Sequence, residues 1–188
     1  MDTQNKNDID QLLADSLKQL ASKKLLEKIT IKEITDLAGV IRPTFYNHFQ
    51  DKFELLEWII NKDLLEPIQP LIRNDMFIEA MVLLFTNIER ERAFYFHVVK
   101  LEGPVTFHSI ARKCVGEVLL SIISDQMTGK ESKHKWLTPE IISAYYAESL
   151  CFVAETWINQ NMILPPKEMA EAYQYMISRS MMDMIKEL

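Results

Sequence analysis

Glycine is scarce in this chain: Gly39, Gly103, Gly116 and Gly129 are the four among 188 residues. Tight hairpins use glycine for positive φ, and phosphate-cradling loops use it for close backbone approach. Four scattered glycines therefore supply neither a sheet-rich fold nor a glycine-rich nucleotide loop. Apolar residues recur instead at three- and four-residue intervals along most of the sequence, the period of helices buried on one side. The expected fold class is all-α. With 48% hydrophobic residues the chain can bury a core, and its length allows one domain or a small one joined to a larger one.

Ile9, Leu12, Leu13, Leu17, Leu20, Ala21 and Leu25 define a first amphipathic helix over residues 8–26. Thr30-Ile31-Lys32-Glu33 is a capping box, in which hydroxyl and carboxylate each satisfy a free backbone N–H at a helix start. The short helix it opens should stop near Ala38, because Gly39 accepts positive φ at little cost. Pro43 can begin a third helix, running to about Phe49, at a position where its missing N–H is not needed. Asp51-Lys52-Phe53-Glu54 then caps a fourth helix, which Pro67 and Pro70 are expected to kink or end. A boundary there divides the chain into 8–66 and 67–188. Further helices are expected over 75–90, 92–101, 104–126, 139–160 and 165–188, with a polar surface loop at 128–135.

A capped short helix, a glycine turn and a second short helix over residues 30–52 make a helix-turn-helix. In that motif the N-terminal residues of the second helix meet base edges in the major groove, while flanking groups hold phosphates. Arg42, Pro43, Thr44 and Asn47 are candidates to face DNA, and Phe45 and Phe49 should face the core. The net charge of −6, taken over the whole chain, argues against a nucleic-acid partner. Residues 1–52, however, hold equal numbers of acidic and basic side chains, so the acidic excess lies outside the motif. Lys23, Lys24 and Lys28 read as a solvated helix end.

At these residues the sequence resembles the TetR/AcrR family of bacterial regulators. The resemblance is carried by Thr30-Ile31-Lys32-Glu33-Ile34, Leu37-Ala38-Gly39-Val40, Thr44-Phe45-Tyr46-Asn47-His48-Phe49, and Lys52 with Leu55. Ile41 stands where a small polar residue is frequent and Pro43 where glycine is frequent. The resemblance implies phosphate contacts by Tyr46, His48 and Lys52. Together with the motif it gives a DNA-facing set of Thr30, Lys32, Ile41, Arg42, Pro43, Thr44, Tyr46, Asn47, His48 and Lys52. It also implies a homodimer on a pseudo-palindromic double-stranded operator, with an N-terminal three-helix head and a C-terminal ligand-binding and dimerisation domain.

The expected dimer stripes are Tyr145, Ser149, Phe152 and Trp157 on the penultimate helix, and Tyr173, Met176, Ile177, Met181 and Met184 on the last. Candidate effector contacts are Phe94, Tyr95, His97, Leu101, Phe107, His108, Arg112 and Cys151. The run Arg92-Ala93-Phe94-Tyr95, with Leu101-Glu102-Gly103 and Thr106-Phe107, resembles a subgroup that includes activators of dihydroxyacetone kinase operons. That points to a small metabolite or a protein as effector.

Other readings have less support. No GxSxG, HExxH, GxxxxGK[ST] or GxGxxG motif occurs, so no enzyme class and no cofactor is indicated. His97, Glu102, His108, Cys114 and His134 match no compact metal-ligand spacing. This leaves a metal-responsive regulator of the same fold as an alternative, beside a helix-turn-helix module for protein contacts with no operator. Cys114 and Cys151 stand far apart, as in a reducing compartment. The longest apolar run, 80–85, is too short for a membrane span, and the expected location is the cytoplasm.

Overall fold

A computed structural model describes residues 3–127 and 134–187. Every regular element among them is helical. The polar stretch expected as a surface loop lies for the most part outside the described residues.

Helix α1 (Thr3–Ala21) precedes a 3₁₀ turn, Leu26–Lys28. The first helix thus stops earlier than its apolar periodicity suggests, because Leu26 is buried from the 3₁₀ turn rather than from a further α turn. Helices α2 (Ile31–Ala38) and α3 (Arg42–His48) follow, joined through Gly39 at φ +70°. The capping box closes at both ends: Glu33 N–H donates to the Thr30 hydroxyl over 3.2 Å, and Thr30 N–H to the Glu33 carboxylate over 2.9 Å. Leu13, Leu17, Ile34, Phe45 and Leu55 form the buried centre of this N-terminal head.

Helix α4 (Lys52–Ile59) is capped by the Asp51 carboxylate, which accepts from the N–H groups of Phe53 and Glu54 over 2.7 and 2.9 Å. The expectation that Pro67 ends or kinks this helix gives way to a different solution. The chain passes into a π-helical segment, Ile60–Leu65, and on into α5 (Glu66–Arg73). Pro67 has no N–H to offer the carbonyl of Asp63, four residues back. The buried side chain of Asn87 takes that carbonyl instead, its Nδ2 donating over 2.9 Å. With the orphan acceptor satisfied from a neighbouring helix, the backbone continues to Arg73.

Asn87 belongs to α6 (Phe77–Arg90), which is followed by α7 (Arg92–Val98), α8 (Phe107–Met127) and α9 (Pro139–Asn159). Helix α8 packs along α9, and α10 (Pro166–Ser178) packs against α6. The last expected helix is broken. Arg179 is extended, at φ −118° and ψ 150°, and α11 (Met181–Glu187) begins after it. Met181 and Met184 therefore lie on a separate short helix, not on the stripe that carries Tyr173 and Met176.

Lys18 joins the head to the rest. Its ammonium lies 2.9 Å from Asp63 on the π segment and 3.8 Å from Glu91 just before α7. Burial penalises that charge, but the surrounding carboxylates outweigh the penalty and hold the Lys18 pKa above its ordinary value.

Candidate nucleic-acid interface and effector cavity

Helix α3 is two-faced. Phe45 is fully buried, and its ring meets Phe49 at 6.0 Å between centroids, with Trp58 closing the cluster at 6.3 Å from Phe49. The opposite face and the preceding cap are open: Ile41 is 69% and Tyr46 51% exposed, and Arg42, Pro43 and Asn47 are exposed with them. The Arg42 guanidinium lies 6.0 Å from the Tyr46 ring centroid and donates to its hydroxyl over 3.3 Å, so the two side chains form one surface unit. Thr44 is half-buried, and Thr30 and Lys32 are exposed at the start of α2. Lys32 pairs with Asp36 at 2.5 Å along its own helix.

Two residues of the DNA-facing set are placed otherwise. The side chain of His48 is only 2% exposed, and its Nδ1 lies 2.7 Å from an oxygen of Asp10 on α1. It joins two helices inside the head. The Lys52 ammonium donates to the carbonyls of Leu26, Glu27 and Ile29 over 2.8, 3.0 and 2.8 Å. An ammonium has three N–H donors, so this one is fully used in holding the 3₁₀ turn against α4. The physical reason is the same in both cases. Each side chain closes a polar gap between elements of the head that would otherwise contain unpaired groups.

The C-terminal part contains a cavity of about 320 Å³ bounded by α5, α6, α8, α9 and α10. Met81, Val118, Leu119, Ile142, Tyr146 and Tyr173 contribute to a wall that carries no charged side chain. None of the eight effector contacts expected from sequence lies on it. A second space of about 40 Å³ adjoins it across the shared residues Leu65, Val115 and Leu150. Three of the expected contacts, Tyr95, Phe107 and Cys151, line this smaller chamber. Phe94 and Leu101 are buried in the core, and His97 Nδ1 pairs with the carbonyl of Ala93. His108 is held between Glu155 and Glu148 at 2.8 and 3.0 Å, and Arg112 lies 3.7 Å from Glu148, outside the chamber. The main cavity has no sequence signature because an apolar residue facing a void follows the same periodicity as one facing a neighbour.

Metal ligation finds little support in the side chains. Among the described residues no group of three His, Cys, Asp or Glu side chains is arranged to hold a metal ion; His108, Glu148 and Glu155 meet, but as ion pairs with one another. Burial pushes the Cys114 thiol up to about 11 and the Cys151 thiol to about 12, which keeps both protonated at neutral pH.

On the outer face of α9 and α10, Phe152 is 66% exposed, and Tyr145 and Met176 are exposed beside it. Ile163, in the turn between these helices, is 80% exposed. Trp157 and Tyr173, expected on the same stripes, are instead buried in the chain's own core, where Trp157 stacks edge-on with Phe85 at 5.3 Å and Tyr173 meets Phe77 at 6.2 Å. Ser149, Ile177 and Met184 are half-buried, and Met181 is exposed. No helix among the described residues is long and apolar enough to cross a membrane.

Comparison with known proteins agrees with this architecture. Residues 15–59 match the model described as bacterial regulatory proteins, tetR family, and residues 75–179 match the one described as transcriptional regulator C-terminal region. The HTH-type dhaKLM operon transcriptional activator DhaS of Lactococcus lactis subsp. lactis (strain IL1403) is 26% identical over 145 residues, which span 76% of this chain and 75% of that protein. Among solved structures, the dihydroxyacetone kinase operon activator DhaS superposes with a TM-score of 0.62 at 21% identity, over 89% of this chain and 93% of that one. NalD, the secondary repressor of the MexAB-OprM multidrug efflux pump in Pseudomonas aeruginosa, superposes with a TM-score of 0.61 at 17% identity over the same shares. These similarities, together covering the head and the C-terminal part, show that the chain is a transcriptional regulator and not an enzyme, and that it belongs to the TetR family.

Proposed function

We propose that the protein works as a homodimer that binds a pseudo-palindromic DNA operator and is controlled by an effector held in its C-terminal part. In this reading residues 8–66 are the DNA-binding domain and 67–188 the regulatory and dimerisation domain, acting in the cytoplasm on chromosomal DNA. The observation that carries the reading is the exposed face of α3. Arg42, Pro43, Tyr46 and Asn47 stand clear of the core on a short helix anchored from behind by Phe45 and Phe49. A helix presented in this way has the form of a major-groove reader. Arg42 and Asn47 are suited to base edges, and Tyr46, with the N-terminal turn of α2 at Thr30 and Lys32, to phosphates.

Dimer formation is supported by the outer face of α9 and α10. Phe152, Ile163 and Leu164 are exposed around an apolar groove that Met176 also lines, and a second copy would cover it. Two heads on a dimer require half-sites about one helical turn apart, or a multiple of that.

Electrophoretic retardation of the DNA upstream of the protein's own gene tests this directly. Binding should weaken steeply between about 50 and 200 mM salt, in proportion to the phosphates contacted. Arg42→Ala combined with Tyr46→Ala should reduce affinity at least tenfold while leaving the helical content unchanged. Equal binding by that double variant would sink the assignment of α3.

A further inference from the structure

Position 41 departs from two local preferences at once. Ile41 is the N-cap of α3, where Ser, Thr, Asp and Asn are favoured because their side chains accept from the second or third N–H of the helix. It is also 69% exposed, the highest value for a large apolar side chain among the described residues of the head. The first departure has a local cause. The second residue of α3 is Pro43, which has no N–H, and the third, Thr44, donates its N–H to the Ile41 carbonyl over 2.9 Å. Neither leaves a donor for a polar cap, so the side chain at 41 is released from that task. The second departure is not relieved by packing, and Pro43 close by is exposed as well. A break with local preference at an exposed helix start is where a functional contact is expected.

We propose that Ile41 reads a pyrimidine C5-methyl group in the major groove, that of thymine in unmodified DNA, and so fixes a T·A pair in each half-site. The inference rests on the reading of α3 as the DNA-facing helix and names a base that the helix selects. An isoleucine side chain has no donor or acceptor to give a phosphate or the polar edge of a base. Among the groups that base pairs display in the major groove, the thymine methyl is the apolar one, and contact with it distinguishes the pair that carries it. Bringing the two apolar surfaces together removes both from water.

The head holds this side chain ready for such a contact. The Ile41 carbonyl accepts from the N–H groups of Thr44 and Phe45 over 2.9 and 3.4 Å, which ties its backbone to the first turn of α3, and the buried Phe45 anchors that turn. Branching at Cβ stiffens χ1, so little rotamer freedom remains to be lost on contact. Arg42, next in the chain, turns its guanidinium toward Tyr46, one turn further along α3, and leaves Ile41 uncovered.

Selection of binding sites from random duplex DNA by the full-length protein, followed by base replacement in the recovered site, tests the proposal. Each thymine is replaced in turn by uracil, which pairs identically and lacks only the methyl. At one position in each half-site the replacement should weaken binding about fourfold, the value of one buried methyl group. At that position 5-methylcytosine opposite guanine should bind more tightly than cytosine by the same factor of about four. In Ile41→Ala, which shortens an exposed side chain and leaves the core intact, both ratios should fall to one. A recovered site with no uracil-sensitive thymine, 5-methylcytosine binding no better than cytosine, or a sensitivity that persists at every such thymine in Ile41→Ala overturns the proposal. The selection also separates the two readings. Enrichment of a defined site without methyl sensitivity removes this inference and leaves the DNA-binding reading standing, while failure to enrich any site removes both.

Discussion

Lys52 and Glu33 show how single polar residues hold the reading head in shape. Lys52 links the start of α4 to three carbonyls of the 3₁₀ turn and its C-cap, those of Leu26, Glu27 and Ile29. Lys52→Met should lower the unfolding free energy by about 1–2 kcal/mol, because three acceptors lose a charged donor at once. Urea unfolding measures this; if Lys52 served only phosphate, stability would be unchanged and DNA affinity alone would fall. Glu33 has a pKa held at about 2, below its ordinary 4.5, first by the Lys24 ammonium 2.5 Å away and then by the backbone and hydroxyl of Thr30. A depressed carboxylate stabilises the folded state above its unfolded pKa and loses that contribution as pH falls through the folded value. The melting temperatures of the parent and Glu33→Gln should therefore differ at neutral pH, converge below about pH 4.5 and coincide near pH 2. Glu33 is solvent-exposed, so added salt should narrow the gap.

At the scale of elements, the passage from α4 through the π segment to α5 carries the most information. Pro67 is visible in the sequence as a helix breaker, and its effect is nevertheless overridden. The override depends on Asn87, twenty residues further on in a different helix, which reaches the carbonyl of Asp63 at 2.9 Å. No local pattern announces that pairing. Asn87→Leu keeps the side-chain size and removes the donor, leaving a buried carbonyl unpaired. It should cost about 1–3 kcal/mol, read from the midpoint of chemical unfolding. Asp51 and Thr30, by contrast, do what their positions in the sequence dictate, since an N-cap is satisfied within three residues of itself. Trp157 and Tyr173 lie at the other extreme. Their helical stripes are regular, but whether a stripe faces the chain's own core or a partner is set by the neighbouring helix.

Across the whole molecule, the charge is arranged so that a net −6 is compatible with a DNA-facing head. The first 52 residues carry no net charge, and the acidic excess belongs to the remainder. The exposed apolar face around Phe152 and Ile163 gives a test at this scale. Phe152→Glu should convert a dimer to a monomer in light scattering at micromolar concentration, and should weaken operator binding by more than tenfold through the loss of the second head. A parent protein that is already monomeric under those conditions would refute the dimer.

The sequence by itself determined the helical class, the helix-turn-helix and its caps, and the family, because each depends on residues a few positions apart along one strand of backbone. Only the tertiary structure decided that His48 is buried against Asp10, that the Lys52 ammonium is taken up by backbone carbonyls, that Asn87 supports Pro67, and that an uncharged cavity lies between α5, α6, α8, α9 and α10. Those outcomes depend on which groups from distant segments meet, and packing geometry settles that after local preferences have been met.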